Sequence, residues 1–490
     1  MCKNAKKKID QSEGNTHSGG LEIQGPMKKI RCFAVLATFA LGFNLNAASI
    51  EWNNTGSDWA TGTDWVGGTA PADSTTTDTA VFGSQGAGPI NPVLATARSV
   101  GGISFLSGAY AYTIGGNTLT IGATGIGNAS TNTQTFSNTL RISASQAWST
   151  GAGGLTVLNG IVDLNATSAA GRTLTVSGAG DTTFSNTIQN SFAGSTGNLT
   201  YSGTGILTLT GTNTYTGTTI LSSGTVRIGN NSAFGTSAIT LSNTTLQAFN
   251  ASRSIANNVS YTATTGATVS GTNDLTFTGT WTDNASRTLT NSISGGTLTL
   301  AGNVFLSDNN STTNRRLTLT GAGNTVISGV VANNNFGNTV AAGITYSGSG
   351  SLTLSNANTY SGGTIISGGA VIANTDGALG TGNVSLTAGN VTLTLQNGAT
   401  QNYIADTASL SYVTTDTINL NYTGTDTISM LTVDGVVQPI GLYGAGATNP
   451  DGAFTGPGFI QVTAIPEPST AVLFGIACLL GAQRLRRKSR

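Results

Sequence analysis

Between Ala48 and Thr470 the chain contains no histidine, cysteine or lysine. His17, Cys2 and Cys32 precede that stretch, Cys478 follows it, and every lysine lies before residue 30 or at Lys488. These absences remove serine or cysteine nucleophiles activated by histidine, and also Schiff-base lysines. They equally exclude zinc sites with nitrogen or sulfur ligands. What survives is carboxylate chemistry and hard-cation binding. The stretch carries eight arginines against seventeen aspartates and glutamates, so the formal net charge of zero for the whole chain conceals an acidic body. Such a body lacks the phosphate-neutralising charge that nucleic-acid binding needs.

A glycosidase needs two carboxyl groups roughly 5–9.5 Å apart across the scissile bond. Asp163 and Asp181 are the nearest acidic pair inside the first repeat block, and their counterparts at an offset of 143 are Leu306 and Asn324. Asp residues in turns could also serve calcium, but the sequence has neither an EF-hand loop nor a Gly-Gly-x-Gly-x-Asp array. An isolated Asp181 in Gly-Ala-Gly-Asp reads more simply as a turn former. Gly151-Ala152-Gly153-Gly154 lacks the lysine and helix of a phosphate loop and reads as a turn. No catalytic residue, metal site or cofactor is expected.

The elements that would position these groups are short strands. From about residue 100 to 400 the sequence is Gly, Thr, Ser and Asn punctuated by alternating runs such as Leu119-Thr120-Ile121, Leu207-Thr208-Leu209, Leu298-Thr299-Leu300 and Leu352-Thr353-Leu354. Period-two alternation with polar breaks predicts many short strands, and no sustained helical period competes with it. Residues 199–241 align without gaps to 344–386, with 21 identities in 43 positions. Repeats that cannot bury an apolar face alone stack into a solenoid with one continuous core. The expected fold is all-β, a right-handed parallel β-helix with Leu, Ile and Val inward and Thr, Ser and Asn outward. A β-sandwich array is the second choice.

The repeated unit, Gly205-Ile206-Leu207-Thr208-Leu209 through Asn213-Thr214-Tyr215 and Gly350-Ser351-Leu352-Thr353-Leu354 through Asn358-Thr359-Tyr360, resembles the autotransporter-associated β-strand repeat. Ala233-Phe234-Gly235 and Ala378-Leu379-Gly380 fit its second half. The resemblance implies a secreted β-helical passenger on a bacterial surface. The chain departs from true autotransporters in lacking C-terminal amphipathic strands for an outer-membrane barrel, so self-translocation is not expected.

Both termini read as addresses. Pro466-Glu467-Pro468 precedes an apolar run, Ala471 to Ala482, and a basic cluster of Arg484, Arg486, Arg487, Lys488 and Arg490. The prolines hold the segment extended for an enzyme, and the cluster stays cytoplasmic by the positive-inside rule. As a helix the run would be ~18 Å long against a ~30 Å hydrocarbon core, adequate as a temporary stop. The order resembles the PEP-CTERM sorting signal of Gram-negative bacteria. It implies an exosortase-type membrane protease and secretion machinery as partners, and transient membrane contact through the tail. An ordinary single-span anchor is the alternative. Met27-Lys28-Lys29-Ile30-Arg31 and the apolar Cys32 to Phe43 read as a signal peptide, cleaved between Ala47 and Ala48, with Met27 as the expected start and a long n-region from Met1 as the alternative.

The organisation is therefore 1–26, an extension ahead of the expected start; 27–47, signal peptide; 48–100, a Trp-rich β cap; 101–400, the solenoid; 401–464, a C-terminal β cap; 465–490, the sorting signal, with a helix over 471–482 and a basic tail at 484–490. In the first cap Trp52, Trp59 and Trp65 could stack on a sugar, but a lid over the first coil is the plainer reading. Met430 to Val437 predicts a hairpin turning at Asp434-Gly435. The expected function is an exported, non-catalytic structural or adhesive protein of the envelope or extracellular matrix, with exopolysaccharide or other surface glycans as possible ligands. The rivals are a β-helical carbohydrate-active enzyme and a passive surface-layer spacer.

Overall fold

The computed structural model describes residues 47–464 apart from 158–159, 309–313 and 335–339. The signal peptide up to Asn46, Pro466-Glu467-Pro468, the apolar run and the basic cluster lie outside the described residues.

Alternation is what makes the coils. In Leu207-Thr208-Leu209 and Leu352-Thr353-Leu354 the leucines are fully buried and stack on the same position one coil later: Leu207 on Val226 on Leu246, and Leu352 on Val371 on Leu393 on Ile418. A strand that buries only every second residue needs a neighbour above and below to complete its core. Here each strand finds it in the next turn of the same chain. The result is a parallel β-solenoid of about 15 turns. The helical content of the described residues is one 3-10 turn, Gly62–Asp64. Thr residues alternate outward, as in the half-buried row Thr135, Thr156 and Thr183; Thr208, next in the row, is buried.

Three strand stacks form the walls. The first sheet runs from Ser49–Glu51 through Gly197–Tyr201 and Trp281–Asp283 to Val331–Ala332. The second runs from Thr113–Gly116 through Ile206–Leu209 and Arg316–Thr320 to Met430–Val433. The third occupies Leu140–Ile142, Val162–Asp163 and Ile188–Gln189, then resumes from Arg253–Ile255 to Thr417–Asn421 and Phe454–Thr455. Parallel pairing thus begins at Ser49 and continues past residue 400, so the solenoid is longer than 101–400. The expected caps are partly coil. A cap must still pair its own backbone, and the cheapest partner is the coil beneath it.

The N-terminal lid is a tryptophan cluster. Trp52 and Trp59 each meet Trp65 edge-on, with ring centroids at 4.9 and 5.1 Å, and all three pack on Phe82. Phe82 stacks on Phe105 one coil later, at 5.1 Å. The indole N–H of Trp52 donates to Ile90 O (3.0 Å) and that of Trp65 to Trp59 O (2.8 Å). All three side chains are at most 1 % exposed, so none offers a face to a sugar. The stacking assignment of Trp52, Trp59 and Trp65 is corrected on that ground, and the lid reading describes them. Large amphipathic rings with a single donor seal an open core end better than they serve a wet surface.

At the other end Met430–Val433 pairs antiparallel with Val436–Val437 around Asp434 (φ 48°) and Gly435 (φ 80°), the expected hairpin. Phe459–Val462 closes beside it, parallel to Thr425–Ile428 and antiparallel to Gly441–Tyr443. Nothing crowds the Cα of Gly435, so Gly435→Ala meets only the positive-φ penalty. A loss of about 1 kcal/mol is expected, largely restored in Gly435→Asn because Asn tolerates that region. Denaturant midpoints of the two variants check it.

Candidate functional site

The residues common to both repeats build one corner, twice. Asn213 and Asn358 are buried, and each side chain mimics a peptide group between coils. Ile188 N–H donates to Asn213 Oδ1 (2.8 Å), and Asn213 Nδ2 donates onward to Ala233 O (2.6 Å). In the second copy Val331 N–H donates to Asn358 Oδ1 (2.7 Å), and Asn358 Nδ2 donates to Ala378 O (2.6 Å). One side chain therefore ties the coil before to the coil after.

Two residues on, Tyr215 and Tyr360 point wholly inward. Their hydroxyls bond those of Thr219 and Thr364 at 2.6 Å in both copies. The threonines pass the chain on to Phe234 O (3.4 Å) and Leu379 O (3.1 Å). Burial pushes both phenols well above the ordinary tyrosine value, so they stay neutral. Gly235 (φ 62°) and Gly380 (φ 73°) pass so close to the Tyr215 and Tyr360 carbonyls that a Cβ has no room. That accounts for the late Ala-x-Gly of both copies.

The corner stands where a strand would. In the first copy it falls on the third face, where the strand stack is interrupted between Ile188–Gln189 and Arg253–Ile255. In the second it falls on the first face, beyond Val331–Ala332. A family match covers the Asn, Tyr and Thr of each corner and ends before its Ala-x-Gly. The passenger-associated-transport-repeat model matches residues 199–228 and 344–373. This bears out the resemblance to the autotransporter-associated β-strand repeat. No curated protein and no solved structure matches the chain. Repeats of this family in a parallel β-solenoid fit a secreted, passenger-like domain at the cell surface.

The two copies do not occupy equivalent faces. Leu199 lies in the first sheet, and successive partners carry that position through Thr219, Ile239, Val259, Trp281 and Val304 to Val331. Its counterpart Ile344 comes one face later, paired with Leu317 in the second sheet. Equivalent surface residues of the repeats therefore point different ways, and the repeats do not build one aligned binding row.

Beside the second corner lies a cleft of about 460 Å³ lined by Asn358, Asp376, Thr381, Thr400, Asn402 and Asp406, among others. Its Asp376 is committed to a turn: it accepts from Thr400 N (2.7 Å), Thr400 Oγ1 (3.0 Å) and Asn402 N (2.9 Å). Partial burial pushes its pKa up, but these bonds together outweigh burial and leave it below the ordinary carboxylate value.

Other carboxylates are spent the same way. Asp163, on the third face, accepts from Ser191 Oγ (2.5 Å), Ser191 N (3.1 Å) and Asn165 N (3.2 Å), with Arg141 Nε at 3.7 Å. Asp181 precedes Thr182–Phe184 in the second sheet, is exposed, and accepts Ile206 N–H at 2.9 Å. The structure thus puts Asp163 and Asp181 on different sheets, each holding a turn, and does not pair them across a shared cleft. Among the described residues no group of three His, Cys, Asp or Glu is placed to hold a metal ion. Ala47 and Ala48 are exposed directly ahead of the first strand.

Sequence reasoning missed the buried acids Asp283 and Asp426, each 0 % exposed. Asp283 Oδ1 accepts from the indole of Trp281 (3.0 Å), and burial pushes the acid up to about 7. Asp426 Oδ2 accepts Ile404 N–H (3.2 Å), and burial, with Asp406 and Asp376 nearby, pushes it to about 8. Asp283 falls on an inward position of Trp281-Thr282-Asp283, a signal the alternation carried.

Proposed function

We propose that the chain is an exported, non-catalytic structural or adhesive protein of the bacterial envelope or extracellular matrix, acting through its solenoid body. The observation that carries this reading is the doubled passenger repeat in a body where Asp163, Asp181 and Asp376 each hold a turn. Rows of outward threonine at the ~4.8 Å strand spacing would offer repeated weak hydrogen bonds to exopolysaccharide or other surface glycans. The segment Pro466-Glu467-Pro468, the apolar run and the arginines act as the sorting signal, cut by an exosortase-type membrane protease after transient insertion.

Mass spectrometry of both termini, on protein from surface and membrane fractions, tests the sorting half. A chain running from Ala48 to between Pro466 and Ser469, outside the membrane, is expected. A chain ending at Arg490 in the membrane fraction would make the tail a plain anchor. Retention on the organism's own polysaccharide tests the adhesive half, and its absence would leave a spacer.

A further inference from the structure

Among the described residues ten large apolar side chains are exposed, and four of them fall in seven consecutive positions: Val436 (63 %), Val437, Ile440 (55 %) and Leu442. Val436 and Val437 form the last strand on the second sheet, and Leu442 lies in Gly441–Tyr443, so the patch belongs to the closing cap. Exposed apolar side chains concentrated in one short segment of the cap, on an otherwise Thr- and Asn-rich surface, mark a docking place.

The charge around it is one-sided. Residues 317–464 contain Asp376, Asp406, Asp416, Asp434 and Asp451, besides the buried and largely protonated Asp426, and no Lys, Arg or His. Asp434 adjoins the patch in its own hairpin. A second copy would bring like charge to like charge, and an anionic membrane surface would do the same. Two segments of the chain have the opposite character, the basic and apolar residues 27–43 and the apolar Ala471 to Ala482 followed at once by Arg484, Arg486, Arg487, Lys488 and Arg490; only the second starts beside the cap.

We propose that this segment, residues 465–490, docks on the closing cap of its own chain, with its apolar run on Val436, Val437, Ile440 and Leu442 and its basic end against the acidic C-terminal coils. The reach allows it. Thr463 and Ala464 are tied to Ile428 O (3.1 Å) and Ser429 O (2.8 Å), directly ahead of Met430–Val433, the strand against which Val436–Val437 pairs. Residues 465–470 span up to about 20 Å when extended, against roughly 13 Å from Ser429 to Val433 along that strand. Docking would shield an apolar tail in water and release it when a bilayer or a protease competes. It does not depend on whether the tail is cut.

Cys478 makes the test direct, because the described body has no cysteine of its own. In the full chain with Cys2→Ser and Cys32→Ser, Val437→Cys and, separately, Ile440→Cys are oxidised mildly. Exposed Ile220→Cys, in the middle of the solenoid, is the control. An intramolecular disulfide to Cys478, formed at least tenfold faster than in the control and slowed severalfold by Arg484→Gln/Arg486→Gln/Arg487→Gln, is expected. A rate equal to the control overturns the proposal. So does a disulfide-linked dimer, which assigns the patch to a second copy. Protection of residues 436–442 from hydrogen exchange only when vesicles are added, without the disulfide, overturns it in favour of the membrane.

Discussion

Asn358→Ala is expected to lower stability by about 2–4 kcal/mol, and Asn213→Ala by a similar amount. Each asparagine satisfies one backbone N–H of the preceding coil and one carbonyl of the following coil inside the core. Alanine leaves both peptide groups buried and unpaired, at about 1–3 kcal/mol each. The face carries no strand at the corner, so no neighbouring ladder can take over the orphaned groups. The sites lie more than a full coil apart, so the double variant should approach the sum. Asn358→Asp tests the mechanism separately from volume: it keeps the acceptor for Val331 N–H but loses the donor to Ala378 O. Chemical denaturation of the three variants checks the prediction, and a loss below 1 kcal/mol for Asn358→Ala would make the corner ornamental.

Asp283→Asn is expected to raise stability at pH 8 by on the order of 2–4 kcal/mol, with the gain vanishing near pH 4. The folded acid titrates at about 7, against 3.8 for the free group, chiefly because it is wholly buried. Below pH 4 both folded and unfolded chains carry the proton and the carboxyl costs nothing. Between about 4 and 7 the unfolded chain releases its proton while the folded chain holds it, so stability falls as pH rises. Above 7 the penalty is complete. A displacement of about three units, at ~1.4 kcal/mol each, sets the upper end of the range.

Asparagine keeps an acceptor for the Trp281 indole and replaces Oδ2, which has no hydrogen-bond partner among the described residues. Arg287 and Arg315 soften the penalty, and Asp308 adds to it. Asp426→Asn should behave alike, with its window reaching to about pH 8. Thermal midpoints of wild type and variants between pH 4 and 8 decide the matter. A difference that does not change with pH would assign the effect to packing instead.

Much of the fold was legible because the signal is local. Leu207-Thr208-Leu209 can bury its leucines only as a strand, and a body of such strands with polar turns has few ways to bury them all. The Asp434-Gly435 hairpin was equally readable, since both central residues of that turn need positive φ. The tryptophans were half legible: their clustering announced a function at the first coil, but composition cannot say whether an indole faces water or Phe82. Asp163 and Asp181, weighed as a pair and set aside, could not be placed in advance because nearness in sequence says little across coils. The residues between them cross from the third sheet to the second.

The sequence by itself determined that the body would be stacked β-coils, acidic and without histidine, cysteine or lysine chemistry, and that two segments would share one internal geometry. Side-chain period and residue type are local properties, so one sequence carries them. Only the tertiary structure decided where those segments face. The coils between them differ in length: Leu199 meets Thr219 twenty residues on, whereas Leu289 meets Leu319 thirty residues on. An offset of 145 residues therefore closes on no whole number of turns, and the second copy arrives one face further round. Loop length costs little free energy but sets angular position, which is why the strands could be read in advance and their faces could not.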